Sequence, residues 1–282
     1  MIVNAKDLLE QAKKGAYAIP HFNINNLEWT RFILEACQEM KSPVILGVSE
    51  GAASYMGGYQ VIVDMVQDLV SSLNITIPVV LHLDHGSSVA SCKAAVDAGF
   101  RSVMIDASKY SLLENIEMTT EVVTYAHQRD CSVEAEIGHV GGSEDGIADE
   151  MAYATVEDAL QLSKTGIDFL APALGSVHGL YKGEPKLDFA RMKEISVKAN
   201  LPLVLHGGTG IDDEKIQHAI ASGICKLNIN TELQIAWANA VRVYLNENPA
   251  VYDPRKIIKA GEAAMKQAII HKIRLLGSAN RA

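Results

Sequence analysis

The chain has 282 residues, of which 48% are apolar, and these totals suit one large α/β domain or two smaller ones. No linker, charge block or low-complexity stretch divides the chain, so we predict a single domain spanning residues 1–282. Its net charge of −9 argues against nucleic acid and membrane surfaces as partners, because both bind basic patches, but it leaves a small anionic substrate open. The chain has four widely spaced cysteines without a CxxC pair, no signal-peptide core, and no apolar run near the roughly 20 residues that span a bilayer, which together predict a soluble, cytoplasmic protein with reduced thiols.

Short apolar runs alternate with segments of helical periodicity along the chain. An apolar run of about four to eight residues bounded by turn residues is typical of a buried strand. Helical faces occur in residues 26–40 and 59–73, and Asp253-Pro254 has the form of an N-cap followed by a first-turn proline that opens a long final helix. The predicted strands are residues 16–23, 43–49, 78–85, 102–108, 132–138, 168–175, 202–208 and 225–231.

Eight strands alternating with helices indicate parallel βαβ units, and their number favours a closed barrel over an open sheet. We therefore predict a (β/α)₈ TIM barrel with a short N-terminal helix and a long C-terminal helical extension. Active sites of such barrels lie at the carboxyl ends of the strands. Polar side chains occur at that end of every predicted strand, namely Asn23, Ser49, Asp84, His85, Asp106, Glu136, His178, His206, Asn228 and Asn230.

Three of these strand ends carry a histidine: His85, His178 and His206. Taken singly, each histidine also fits a hydrogen-bonded turn residue. Three neutral imidazoles with an open fourth position make a catalytic zinc site, and the joint placement favours that hypothesis. Asp84 is the immediate neighbour of one candidate ligand, so its carboxylate is a candidate proton acceptor beside the metal.

Other ionisable residues near the strand ends have two interpretations. Asp106 is either a turn cap or a catalytic group, and Glu136 is either catalytic or the partner that orients a histidine. His82 lies mid-strand and fits the core or a supporting position. Lys226 is the only lysine within a predicted strand and lies near its start, so carbonyl chemistry here would use a metal rather than a Schiff base.

Glycine-rich strand ends and two long loops surround the predicted site. HGGTG (206–210) and NINT (228–231) follow the last two strands, where phosphates often bind at backbone amides, although glycine after a strand is usually only a turn. The polar loops 141–154 and 178–188 are candidate lids or solvated linkers. Lys182 is placed to meet a phosphate, and Glu144 to transfer a proton when a lid closes.

These motifs together resemble the class II, zinc-dependent fructose-bisphosphate aldolases and the related tagatose-bisphosphate aldolases. The resemblance covers the chain nearly end to end. The matching segments are AIPHFNINNLE, SPVILGVSEGAASYMGGY, HLDHGSS, SVMIDAS, SVEAEIGHVGGSEDG, APALGSVHGLYKGEP, LPLVLHGGTGI, KLNINTE and YDPRKI.

The resemblance implies roles for the reacting groups. His85, His178 and His206 would hold the zinc ion, which stabilises the enediolate of dihydroxyacetone phosphate. Asp84 would take the proton from the C4 hydroxyl during cleavage, and Glu144 would exchange the proton at the ketose carbon. The remaining carboxylates at the strand ends, Asp106 and Glu136, match residues at or near an alternative metal position.

The resemblance also implies the binding groups. A monovalent cation, Na⁺ or K⁺, often binds near Gly179 and Gly207 in the family, and Arg255 matches an arginine that reaches the site of a neighbouring subunit in a homodimer or homotetramer. Asn23 and Ser49 would lie near the sugar bisphosphate substrate. Asn230 stands where many members have aspartate, and its amide can still hydrogen-bond a hydroxyl. Phosphate and substrate binding would fall to Gly179, Lys182, Gly207, Gly208, Thr209, Asn228, Asn230 and Thr231.

Reversible cleavage of fructose 1,6-bisphosphate is the function that this resemblance favours. LDHG, SVHG and HGGTG are more similar to the fructose-specific branch, and tagatose-bisphosphate aldolase remains the nearest alternative. A zinc hydrolase would activate water and has no need to anchor two phosphates. A non-catalytic phosphosugar-binding subunit has no need of a base beside a metal.

Overall fold

Eight parallel strands close into a barrel in the computed structural model, which describes residues 2–144, 147–149, 152–179, 181 and 183–282. It describes their side chains except those of residues 143, 144 and 147–149. The strands in these ranges are β1 (Ile19–Asn23), β2 (Val44–Val48), β3 (Val79–Gly86), β4 (Ser102–Ile105), β5 (Ser132–Ile137), β6 (Gly141–Glu144), β7 (Ile147–Asp149), β8 (Phe169–Pro172), β9 (Val177–His178), β10 (Leu203–Leu205) and β11 (Ile224–Ile229).

Helices connect these strands and follow the last one. They are α1 (Lys6–Gly15), α2 (Leu27–Glu39), α3 (Glu50–Met56), α4 (Tyr59–Ser72), α5 (Val89–Ala98), α6 (Leu112–His127), α7 (Val156–Ser163), α8 (Phe189–Ala199), α9 (Asp213–Ala221), α10 (Thr231–Glu247), α11 (Pro254–Ala260) and α12 (Glu262–Leu275). Within the described parts of the chain, none of these helices is both long and apolar enough to cross a bilayer.

The barrel contains the eight predicted strands in chain order, and β11 pairs with β1 to close it. Each neighbouring pair is parallel, so all the carboxyl ends lie at one rim. The predicted (β/α)₈ barrel, its N-terminal helix α1 and its C-terminal helical extension are confirmed. This arrangement gathers the polar strand ends at a single mouth.

Alternation of side chains along the strands creates two apolar layers. One layer lies between the strands and the surrounding helices, whose inward faces include Phe32 of α2 and Ile62 of α4. The second lies inside the amino end of the barrel, where Leu9 of α1 packs with Ile45 and Phe169. Helix α1 therefore closes the end of the barrel opposite the polar rim.

Local capping explains where several helices begin. The side chain of Asn26 accepts a hydrogen bond from the Trp29 amide and starts α2, within the predicted helix 26–40. Asp253 caps α11 with Pro254 in the first turn, as predicted. The C-terminal extension is divided into α11 and α12 at Gly261, where an added Cβ would lie 2.1 Å from the ring of Trp237.

A small second sheet covers part of the rim, and the sequence did not predict it. Strand β6 pairs antiparallel with β7 and parallel with β9, in the order β7-β6-β9. Strands β6 and β7 come from the segment 141–154, which was predicted as a lid loop or linker, and β9 ends at the first residue of the second such segment, 178–188. Gly142 pairs with His178 in this sheet, so the backbone of β6 supports one of the three predicted zinc ligands.

Candidate active site

Asp84 and His85 are neighbours at the end of β3, and both side chains belong to the barrel mouth. Consecutive side chains of a regular strand point to opposite faces, so a regular strand could not place both there. The pairing of β3 with β4 is irregular between Leu83 and Gly86, and His85 has a φ of 49°. This bulge and left-handed residue turn the imidazole back over the barrel.

His85, His178 and His206 converge at the rim. One ring nitrogen from each lies within 4.8 Å of the others. Ring centroids are 4.6 Å apart for His85 and His206, 5.0 Å for His85 and His178, and 5.7 Å for His178 and His206. The structure therefore brings together the three residues that the sequence predicts as ligands.

Two carboxylates hold two of these rings by the nitrogen that faces away from the cluster. Nδ1 of His85 lies 2.8 Å from Oδ2 of Asp106, and Nε2 of His206 lies 2.8 Å from Oε1 of Glu134. Each carboxylate accepts a hydrogen bond from the N–H of its ring, which leaves lone pairs on the facing atoms His85 Nε2 and His206 Nδ1, 2.9 Å apart. A bound cation removes the repulsion between these lone pairs.

The protonation of the imidazoles also fits a metal. Burial lowers the pKa of His206 to about 4, and burial with the neighbouring imidazoles lowers the pKa of His178 well below its usual value. Both rings are therefore neutral near pH 7, as metal ligands must be. A cluster of three imidazoles, two of them held by carboxylates, fits a zinc ion.

Asp84 is buried beside this cluster, and both of its oxygens have partners. Asn23 Nδ2 donates to Oδ2 at 2.9 Å, and Asn228 Nδ2 donates to Oδ1 at 3.1 Å. Burial would raise the pKa of Asp84, but the electrostatic effects of His21, His85 and other neighbours outweigh it and hold the pKa well below its usual range. The carboxylate is thus ionised and ready to accept a proton.

Glu136 occupies a different environment at the end of β5. Its Oε1 accepts from the Val140 amide at 3.0 Å, and its Oε2 is buried without a hydrogen-bond partner among the described residues. Burial and repulsion by Asp106 raise the pKa of Glu136 well above its usual value. Donor atoms of His85, Asp106 and Glu136 lie within 4.8 Å of one another, so they could hold a metal beside the histidine cluster.

Two glycines press against strand β9 from opposite sides and fix the position of His178. A Cβ on Gly207, which has a φ of 68°, would lie 2.1 Å from the Val177 carbonyl oxygen. A Cβ on Gly142, with a φ of 111°, would lie 2.3 Å from the His178 carbonyl oxygen. The Tyr181 hydroxyl links β9 to Gly207, because it accepts a hydrogen bond from the Val177 amide and donates one to the Gly207 carbonyl. Glycine is required here by close approach.

A polar cavity of about 270 Å³ adjoins the histidine cluster. It lies where α10 begins, and the side chain of Asn230 does not cap that helix. Instead, the Glu232 amide donates to Thr209 Oγ1 at 3.1 Å, and the Leu233 amide donates to the Asn230 carbonyl. Asn230 Oδ1 is buried and has no hydrogen-bond partner among the described residues. The cavity is lined by Asn23, His178, Gly179, Gly207, Gly208, Thr209, Asn228, Asn230, Thr231 and Gln234.

Two other predicted site residues, Ser49 and Arg255, do not line the cavity. Ser49 stands at the end of β2, where its hydroxyl accepts from the Ala52 amide and caps α3, and it is not part of the cavity lining. Arg255 is 89% exposed on α11 and pairs with Asp253. Lys182 and the side chain of Glu144 lie outside the described residues.

Sequence reasoning missed a layer of polar residues beneath the rim. Lys226, near the start of β11 as predicted, points into the barrel and pairs with Glu134. The signal was present in the period of two along the strands, because a second polar residue precedes the rim residue by two positions. The four pairs are His21/Asn23, His82/Asp84, Glu134/Glu136 and Lys226/Asn228. Tyr181 and Gln234 carried no comparable signal.

Curated proteins named fructose-bisphosphate aldolase are similar to this chain over its whole length. The chain is 58% identical over 283 residues to the fructose-bisphosphate aldolase of Geobacillus stearothermophilus, a match that covers 100% of this chain and 99% of that protein. It is 57% identical, with the same coverage, to the fructose-bisphosphate aldolase of Staphylococcus aureus strain N315.

Solved structures of aldolases also have the same fold as this chain. The YdjI aldolase from Escherichia coli K12 superposes with a TM-score of 0.86 at 34% identity over 100% of both chains. The fructose-bisphosphate aldolase from Campylobacter jejuni has a TM-score of 0.86 at 25% identity, covering 100% of this chain and 97% of that chain. Residues 3–281 match the family model described as fructose-bisphosphate aldolase class-II. The chain therefore belongs to the class II fructose-bisphosphate aldolase family.

Proposed function

We propose that this protein catalyses the reversible cleavage of fructose 1,6-bisphosphate to dihydroxyacetone phosphate and glyceraldehyde 3-phosphate. One observation carries the proposal: three imidazoles converge beside the buried carboxylate of Asp84 at the mouth of the barrel. An electrophile site next to a base is what retro-aldol cleavage requires. The names of the full-length relatives support the choice of substrate.

In this proposal His85, His178 and His206 hold a zinc ion. Zinc supplies Lewis-acid polarisation of the ketose carbonyl. Asp106 and Glu134 keep the His85 and His206 rings oriented through their outer nitrogens. The cluster of His85, Asp106 and Glu136 supports a second, alternative position for the metal.

Asp84 acts as the base at the substrate C4 hydroxyl. It removes that proton as the bond between C3 and C4 breaks, and it returns the proton in the condensation direction. The amides of Asn23 and Asn228 hold the carboxylate from two sides, which limits its rotation. Glu144 is proposed to exchange the proton at the ketose carbon.

One substrate phosphate occupies the polar cavity next to the histidines. Backbone amides of its glycine-rich lining and the Thr231 amide at the start of α10 are proposed to donate to it, and Thr209 and Thr231 to supply hydroxyls. The proposal places a monovalent cation, Na⁺ or K⁺, near Gly179 and Gly207, and adds Lys182 as a phosphate partner. Asn230 is proposed to bind a substrate hydroxyl through its amide.

Arg255 is proposed to bind the second phosphate in the site of a neighbouring subunit. Its side chain is exposed on α11, in the C-terminal extension, and is therefore accessible to a neighbouring subunit. The active assembly would then be a homodimer or homotetramer. The four cysteines are buried and free of disulfides, which supports a location in the reducing cytoplasm.

The test is a coupled cleavage assay on fructose 1,6-bisphosphate and tagatose 1,6-bisphosphate, run in parallel on native, chelator-treated and zinc-restored protein. We expect zinc-restorable cleavage that favours fructose 1,6-bisphosphate. Preference for tagatose 1,6-bisphosphate would retain the chemistry and overturn the substrate. Absence of cleavage with zinc bound would overturn the function in favour of a hydrolase or a phosphosugar-binding subunit.

A matched pair of histidine variants separates the site from general effects on the fold. His85→Ala removes a proposed ligand, whereas His271→Ala changes a side chain that is 53% exposed on α12. We expect the first variant to lose zinc and activity together and the second to keep both. Full activity of His85→Ala after thorough chelation would contradict the metal role.

A further inference from the structure

The barrel contains a buried lysine that the proposed chemistry does not use. Lys226 is fully buried, and its Nζ donates to Glu134 Oε2 at 2.9 Å and to Asn228 Oδ1 at 2.8 Å. It does not line the polar cavity. A buried ion pair contributes little net stability compared with apolar side chains of similar volume, so stability alone does not account for it.

The first contact of Lys226 leads to a proposed zinc ligand. Glu134 receives the lysine on Oε2 and the His206 imidazole on Oε1. Because Lys226 holds Oε2, the other oxygen of Glu134 stays against His206 Nε2. The proton of His206 is thereby fixed on Nε2, and the lone pair on Nδ1 faces His85.

The second contact leads to the proposed base. A lysine ammonium only donates hydrogen bonds, so the Asn228 atom that meets it must be the amide oxygen. The amide nitrogen must then point away from the lysine, toward Asp84 Oδ1 at 3.1 Å. Without the cation, the amide could flip and present its oxygen to the Asp84 carboxylate, which would displace that carboxylate.

We propose that Lys226 is a positioning residue that sets both the tautomer of His206 and the amide orientation of Asn228, and so aligns the zinc site with Asp84. It acts from beneath the site and does not touch the substrate. This inference rests on the aldolase function proposed above. It assigns one buried cation to two separate parts of the active site.

The experiment compares Lys226→Met with Glu134→Gln and with the double variant in full-length protein. Zinc affinity is measured by competition with a chromophoric chelator, and kcat and KM are measured on fructose 1,6-bisphosphate. We expect Glu134→Gln to weaken zinc binding by about 10- to 100-fold. Lys226→Met should weaken zinc binding and also lower kcat about 10- to 100-fold at fixed zinc saturation, with KM little changed.

Two further readouts distinguish positioning from a structural role. In metal-free protein, the ¹⁵N chemical shifts of His206 should show one tautomer in the wild type and a mixture in Lys226→Met. The double variant should lose less zinc affinity than the sum of the single losses, since both act through one network. It also leaves no unpaired buried charge, so it tests the idea if Lys226→Met alone fails to fold.

Asp168→Asn is the matched control, because it removes a buried carboxylate near the amino end of the barrel that pairs with Lys6 and His127. It should lower the melting temperature and leave zinc affinity and kcat unchanged. The inference would be overturned if Lys226→Met kept the wild-type zinc affinity, kcat and His206 tautomer. It would also be overturned if Asp168→Asn lost as much zinc affinity and kcat as Lys226→Met. Activity of the wild type tests the proposed function separately, and zinc affinity and the tautomer do not depend on it.

Discussion

Nδ1 of His206 lies 2.9 Å from Nε2 of His85, although the other nitrogen of each ring already faces a carboxylate. The two rings thus present electron pairs to a shared point. Such an arrangement is unfavourable without a cation and favourable with one, so the affinity for zinc depends on the carboxylates as well as on the histidines.

Replacement of Asp106 by asparagine should weaken zinc binding. An amide can present either its oxygen or its nitrogen to His85 Nδ1, so it no longer fixes the proton there. We expect a loss of zinc affinity of about 10- to 100-fold, measured by chelator competition. Asp97→Asn, at a residue whose side chain is 57% exposed, is the control and should bind zinc normally. Equal affinity in the two variants would refute this role of Asp106.

Replacement of Asp84 by asparagine should remove the base while keeping the shape of the site. We expect kcat/KM for fructose 1,6-bisphosphate to fall by at least about 100-fold, the usual scale for an acid/base residue. Bound zinc, measured by atomic absorption, should stay at the wild-type level. Asp68→Asn, on the exposed face of α4, should retain full activity. Near-normal turnover in Asp84→Asn would assign the base elsewhere.

Gly207→Ala should disturb zinc binding through the backbone of β9. The added Cβ would meet the Val177 carbonyl oxygen at 2.1 Å, so β9 and its His178 must move. A positive φ alone costs an alanine about 1–2 kcal/mol. Gly277→Ala isolates that cost, since Gly277 has a similar φ of 70° and its added Cβ would make only an ordinary contact, with Tyr17 Cβ at 3.5 Å. Urea unfolding and zinc affinity should both be affected more in Gly207→Ala, and equal effects would contradict the steric argument.

Arg255→Ala should discriminate between substrates with two phosphates and with one. If Arg255 binds the second phosphate, its loss removes a charge-assisted hydrogen bond, and kcat/KM for fructose 1,6-bisphosphate should fall roughly 10- to 100-fold. Cleavage of fructose 1-phosphate should be unaffected. Lys259→Ala on the same helix is the control. Equal losses on both substrates would place Arg255 outside phosphate recognition.

The four cysteines should be unreactive in the folded protein at pH 8. Burial raises the pKa of Cys92 to about 12 and that of Cys225 to about 11, and it also raises the pKa of Cys37 and Cys131. At pH 8 all four thiols are therefore protonated, and the thiolate is the reactive form. An Ellman assay should detect no thiol before unfolding and four after it. Ser71→Cys, at an exposed position, should add one fast-reacting thiol, and rapid labelling of the native wild type would contradict the burial.

The fold could be predicted because each strand of the barrel is short, apolar and bounded by turns. The segment 78–85 illustrates this, since its observed strand, β3, differs by one residue at each end. The site followed from the barrel, because parallel strands present their carboxyl ends on one rim. The convergence of His85, His178 and His206 could thus be predicted without any knowledge of distances.

The remaining features depend on contacts that no local pattern contains. The bulge at His85 follows from the register between β3 and β4, and that register is set by the whole barrel. The sheet formed by β6, β7 and β9 joins the segment 141–154 to the start of the segment 178–188, and the sequence predicted a polar loop for each. Orientation of a histidine was one of two interpretations of Glu136, but Glu134, two positions earlier on the same strand face, holds His206, and only the three-dimensional structure shows which carboxylate meets that ring.

The hydrogen bond between Asn228 and Asp84 joins residues 144 positions apart in the chain. Strand β11 must also pair with β1 before the ring is complete, and α12 then packs across α2, where Lys266 meets Glu35 at 2.6 Å. During synthesis on the ribosome, the base and its amide partner can meet only after most of the polypeptide has emerged. The proposed zinc site is complete only after His206 has also emerged, so a nascent chain truncated before that residue would lack one of the three proposed ligands.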